Sequence, residues 1–153
     1  MLGGTGSRSF DPVQPKELPE CFEAGTVNTH GIAGLGAGID FIRKIGLTTI
    51  AAKENMLRNY FMEELYKLEG YRIYGRNCGA ATGTVSVLKE DSDSMVFAGR
   101  LSEAGIAVRG GFHCAPLAHR TLGTEKTGTV RFGFGYFNTK EEIDTAIAVL
   151  KKL

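Results

Sequence analysis

The stretch VRGGFHCAP, Val108–Pro116, brings an arginine, two glycines, a histidine and a cysteine into nine residues. A thiol becomes a nucleophile when it ionises, and nearby cations favour the ionised form. Arg109 and His113 are the neighbours able to do this for Cys114. Gly110 and Gly111 let the chain turn tightly off a strand and present a side chain outward. Pro116 suits the opening of a helical turn, whose N-terminal amides also favour a thiolate. Against this stands the ordinary fate of a free cysteine, which is to be a small buried hydrophobe. The stretch alone leaves both readings open. A metal site is the weaker reading, because His113, Cys114 and His119 have no further cysteine or histidine close in sequence.

Two other regions carry binding chemistry. In TGTVRFGFGYFNT, Arg131 interrupts an otherwise apolar strand. Such an arginine either reaches solvent or awaits a carboxylate, which its planar fork binds bidentately. In FEAGTVNT, Gly25, Thr26 and Asn28 offer backbone amides, a hydroxyl and a side-chain amide to an anion near a helix start. GGTGS, Gly3–Ser7, is able to form a similar nest. Each is a commonplace loop by itself.

The elements that must position these residues follow from periodicity. Residues 1–20 read as irregular, with Pro12, Pro15 and Pro19 excluding a helix. From Gly31, Ile32, Leu35, Ile39 and Ile42 recur at helical spacing among several glycines, which predicts a helix serving as a packing surface. GLGAG there only weakly echoes a dinucleotide fingerprint, since no strand precedes it. Thr48 to Leu68 predicts an amphipathic helix with Ile50, Leu57, Phe61, Leu65 and Leu68 on one face, ended by Gly70. Strands are expected at Tyr71–Tyr74, Gly83–Leu88, Ile106–Val108 and Thr129–Phe134. DSDS offers caps for a helix over Met95–Ala104, and Thr139 with Glu142 forms a capping box for the C-terminal helix. Helices and strands alternate without a regular βαβ crossover. The fold class is therefore α+β, a small, mainly antiparallel sheet with helices packed on one face.

Composition narrows the partners. With 153 residues the chain can bury a core without staples. Its formal charge of +1 gives no electrostatic footprint for nucleic acid or an anionic membrane. No apolar run approaches the ~18 residues that span a bilayer. Three cysteines, Cys21, Cys78 and Cys114, lie far apart with no CxxC, which argues against a disulfide framework and for a reducing, cytoplasmic setting.

Taken in order, GGTGSRS, LPECFEAGTVNTHGIAGLGAGIDFI, GIAVRGGFHCAPLAHRTLG and GTVRFGFGYFNTKEEID resemble the C-terminal part of class V aminotransferase-fold enzymes, specifically cysteine desulfurases and selenocysteine lyases. The resemblance covers nearly the whole chain. It implies the small C-terminal domain of fold-type I enzymes dependent on pyridoxal 5'-phosphate (PLP), with residues 1–30 an irregular segment from the large-domain boundary and 31–153 the domain itself. In that family the cofactor acts as electron sink, a cysteine takes sulfur from substrate cysteine as a persulfide, and alanine is released. The resemblance places the nucleophile at Cys114. Arg131 matches the arginine holding the substrate carboxylate, and Arg109 matches one beside the cysteine that helps orient substrate. His113 completes the expected substrate-binding set. Thr26, with Gly25 and Asn28, matches the loop that reaches the phosphate of the other subunit's cofactor, so a homodimer is implied, with a sulfur-acceptor protein downstream. No metal is implied.

One departure is plain. The family attaches PLP to a lysine following a histidine, whereas the three histidines here precede Gly31, Cys114 and Arg120. None of the nine lysines lies in a matching motif. The expectation is a chain without the cofactor-binding N-terminal domain, inactive alone. The alternatives are a class V aminotransferase or selenocysteine lyase fragment, or a non-enzymatic domain that accepts persulfide or binds a partner.

Overall fold

The computed structural model describes residues 8, 10–23, 25–75 and 82–153. The chain divides into two compact units, Met1–Ile45 and Gly46–Leu153.

In the first unit a single 3-10 turn at Glu20–Phe22 precedes helix α1, Thr29–Ile45. The Asn28 side-chain oxygen accepts from Gly31 N at 3.0 Å, which satisfies one of the open amides at the start of α1. The predicted periodicity is real, yet α1 buries none of its residues, and Ile32 and Leu35 are 59% and 65% exposed. Helix α1 falls within the first unit.

The second unit holds helix α2 (Leu47–Leu65), strands β1 (Tyr71–Tyr74) and β2 (Thr84–Lys89), helices α3 (Ser94–Glu103) and α4 (Pro116–Leu122), strand β3 (Val130–Gly133) and helix α5 (Lys140–Leu150). The three strands form one antiparallel sheet in the order β1-β2-β3. Alternation decides its two faces. Val85, Val87, Val130 and Phe132 point inward and pack with Leu57, Phe61 and Leu65 of α2, Phe97 and Leu101 of α3, and Ile143, Ile147 and Leu150 of α5. The Phe61 ring lies 4.7 Å from that of Phe132, between centroids, locking α2 onto β3. The α+β sheet with helices on one face is thus observed.

Local signals explain most element ends. Asp93 caps α3, its carboxylate accepting from Met95 N at 2.8 Å and Val96 N at 3.3 Å. Gly105, at φ 80, closes α3 with paired bonds from Gly105 N to Ser102 O and from Ile106 N to Leu101 O. That arrangement corrects the expected strand at Ile106–Val108. Ile106 N is consumed by the helix end, and only Arg109 pairs with the sheet, as an isolated bridge to Arg131. Helix α2 ends at Leu65, before the expected Leu68, and the chain turns through Gly70 at φ 79.

The capping box at α5 is present in full: Glu142 N donates to Thr139 Oγ1, and Thr139 N donates to the Glu142 carboxylate. Because α5 supplies three core residues, removing the cap with Thr139→Ala should destabilise the unit by about 1 kcal/mol. The check is a lower urea midpoint at unchanged slope.

Candidate functional site

Strand β3 sets the site's first half. Val130 and Phe132 are buried, so Arg131 between them must face away from the core, and it is exposed. Arg131 lies opposite Ser86 on one side and Arg109 on the other. Arg131 N donates to Arg109 O at 2.8 Å and Arg109 N donates to Arg131 O at 3.3 Å. A pair exchanging both bonds carries its side chains on the same face. The Arg109 and Arg131 side chains therefore leave the backbone on the same face, and among the described residues neither forms an ion pair. Like charges directly opposite are unfavourable. An anion laid across the pair would relieve that repulsion, and a carboxylate suits a guanidinium fork.

The second half is the cysteine turn. Ala115 N donates to Phe112 O at 2.9 Å, closing a four-residue turn whose central residues, His113 and Cys114, have φ 52 and 57. Positive φ at both central positions is the type I′ pattern, normally built from Asn-Gly. Neither residue here is a glycine, so the turn holds backbone strain of roughly 1–2 kcal/mol per residue. Among the described residues only Asp91 shares this conformation outside glycine. The result is a free, exposed Cys114 at the tip of a turn. The reading of Cys114 as a buried hydrophobe is therefore set aside.

Surrounding chain segments hold the turn in place. Gly111 N donates to Ser94 Oγ at 3.2 Å, and Thr129 N donates to Gly111 O at 3.1 Å. Ser94 and Thr129 are both buried. Gly110 also has a role beyond turning: a Cβ there would sit 2.6 Å from Ser94 O. The Nε2–H of His113 donates to Thr129 O at 3.1 Å, while its Nδ1 is buried with no hydrogen-bond partner among the described residues. His119 is buried, with both ring nitrogens engaged, to Thr124 Oγ1 and Phe112 O, so it has no lone pair free for a metal. Among the described residues no three His, Cys, Asp or Glu side chains converge as a metal site would require.

The structure thus brings Cys114, His113, Arg109 and Arg131 together on one unit. Gly25, Thr26 and Asn28 lie on the other unit, where Thr26 is exposed, Gly25 has φ 81 and the Asn28 oxygen caps α1. Gly3–Ser7 lies outside the described residues, as does Cys78. Sequence reasoning missed Ser94, Thr124 and Thr129. Their signals are hydroxyls next to a helix start or strand, which only spatial proximity makes meaningful.

His113 has its pKa lowered from the ordinary 6.5, first by burial and further by repulsion from Arg131, Arg109 and His119, with the Thr129 hydrogen bond opposing. The neutral ring is favoured in the fold. Protonation therefore favours the unfolded chain, so this contribution to stability is intact above the ordinary histidine value and declines as pH falls below it. Thermal midpoints measured from pH 8 down to about 5 should fall on acidification. His113→Asn, which tolerates positive φ, should flatten that decline.

Residues 1–146 match the model of the aminotransferase class-V family. A probable cysteine desulfurase of Halalkalibacterium halodurans is 42% identical over 137 residues, covering 90% of this chain and 33% of that protein. One from Xylella fastidiosa strain 9a5c is 37% identical over 145 residues, covering 95% of this chain and 34% of that protein. The apo cysteine desulfurase structure from Thermococcus onnurineus NA1 superposes with a TM-score of 0.79 at 37% identity, covering 99% of this chain and 38% of that one. The chain spans about a third of the length of these two curated relatives. With the family model running through the arginine pair and the cysteine turn alike, the chain belongs to the aminotransferase class-V family.

Proposed function

We propose that this chain is the nucleophile-bearing C-terminal domain of a PLP-dependent cysteine desulfurase, which takes sulfur from L-cysteine and releases alanine. The observation that carries the reading is the exposed Cys114 on its strained turn, in the same unit as the Arg109–Arg131 couple, which forms no ion pair among the described residues. Relatives named cysteine desulfurase support it.

The chain's own residues fit PLP in part. The exposed Thr26 hydroxyl and the Gly25 turn ahead of α1 offer a phosphate contact, while no lysine here follows a histidine. PLP, when bound, supplies an electron sink for the substrate carbon skeleton. Thr26 serves the cofactor of a second copy in this reading, so the working enzyme is a homodimer that also includes a lysine-bearing large domain.

Within it, Arg131 grips the substrate carboxylate through its fork and Arg109 adds a second positive charge beside it. That fixes the amino acid with its side chain toward the turn. The Cys114 sulfur bonds to the substrate sulfur while the bond from that sulfur to its carbon breaks. The bonding pair leaves with carbon, which takes up a proton and becomes the methyl of alanine, and the transferred sulfur stays on Cys114 as a persulfide. A neutral His113 adds no further cation beside the two guanidinium groups.

The test uses this chain assembled with the cofactor-binding segment of its own protein. Cys114→Ala should abolish alanine release from L-cysteine and the persulfide adduct seen by mass spectrometry. Unchanged release in that variant would instead indicate a reaction in which Cys114 is no nucleophile. Arg131→Lys should raise the KM for cysteine about ten- to a hundredfold, the range for losing part of a charged hydrogen-bonded pair.

A further inference from the structure

The geometry points to His119, backed by Thr124, as the residue that positions Cys114. It is a positioning residue, since its ring touches the turn's backbone and not the reacting sulfur.

A turn with two non-glycine residues at positive φ relaxes unless something outside it over-determines its shape. Its own Ala115–Phe112 bond is a single hydrogen bond, typically a small net gain against that strain. The second hold on Phe112 O comes from His119, whose Nε2 lies 3.0 Å away. A carbonyl only accepts, so Nε2 carries the proton. In the neutral ring Nδ1 is then an acceptor, and it meets the Thr124 hydroxyl at 2.7 Å. His119 is 4% exposed and Thr124 1% exposed, so neither nitrogen has water as a substitute partner. The Phe112 carbonyl thereby fixes the Nε2–H tautomer, and the Thr124 hydroxyl, free to rotate and donate, satisfies the Nδ1 that this tautomer leaves bare.

The pair is itself anchored. Thr124 N donates to His119 O at 2.9 Å, and Gly123, at φ 67, is the left-handed cap that brings the chain back for this bond. Thr124 O accepts from Gly128 N at 2.9 Å, which continues into the Thr129–Gly111 bond at the foot of the turn. The Phe112 ring meets the His119 ring edge-on at 5.3 Å between centroids. One imidazole therefore joins α4, the 123–129 loop and the carbonyl from which the cysteine turn springs. Without it, Phe112 O keeps one bond, and relaxation of His113 and Cys114 toward negative φ swings the sulfur out of its displayed position.

This deepens the desulfurase reading, resting on it for the use made of Cys114, but its test needs neither cofactor nor turnover. An inactive enzyme whose Cys114 alkylates as expected would count against that reading alone. In the 153-residue chain, nitrogen NMR of wild-type His119 should show the Nε2–H tautomer. Iodoacetamide alkylation, followed at Cys114 and Cys21 by peptide mass spectrometry, should slow at Cys114 in His119→Phe and in Thr124→Val. The expected loss is about three- to tenfold, the factor one buried hydrogen bond contributes to an equilibrium. Cys21 should be unaffected, and His119→Gln, which keeps a donor for Phe112 O, should recover most of the rate. The proposal is overturned by the Nδ1–H tautomer in the wild type, by a folded His119→Phe or Thr124→Val whose Cys114 reacts as fast as before, or by equal slowing at Cys21. If His119→Phe does not fold, Thr124→Val and the wild-type tautomer still decide.

Discussion

Burial of Val130 and Phe132 on the same side of β3 is the constraint from which the site follows. Strand parity then leaves Arg131 no inward option, and pairing carries that choice sideways along a row: Tyr74, Ser86, Arg131 and Arg109 stand opposite one another in turn across four chain segments. The apolar contacts of Phe61 with Phe132 and Phe134 thus do electrostatic work at a distance, because they fix which way a charge faces. A slip of one residue in β3 would bury the guanidinium and expose the core.

The cysteine turn depends on that strand in a second way. Thr129 and Val130 connect the sheet to the turn, with Thr129 giving its N–H to Gly111 and its carbonyl to His113. The start of α3 closes the other side through Ser94. The nucleophile candidate is therefore mounted on rigid elements by its flanks while its own backbone is strained. This division suits a site that must present one atom in one place.

Much of this was legible in the residues. The apolar run around Arg131 announced β3, and DSDS and NTKEE announced the caps of α3 and α5, because those signals are local. The order of motifs carried the family assignment. The strand expected at Ile106–Val108 failed because apolar residues alone do not reveal that Gly105 and Ile106 close α3 instead. The I′ turn was hidden since its usual Asn-Gly signal is missing and His-Cys stands in its place. His119 drew attention only as a metal ligand, because its partners, Phe112 O and Thr124 Oγ1, are a backbone atom and a hydroxyl.

Gly128 shows what this architecture does not leave free to vary. At φ 65, a side chain there would begin 2.5 Å from Ser94 Oγ and 2.9 Å from Gly111 O. Two backbones and the Ser94 hydroxyl meet at that spot with no room for even a methyl group. Evolution or engineering has little purchase on such a junction. Room for substitution lies instead at exposed positions near it in sequence, such as Phe112 and Leu117.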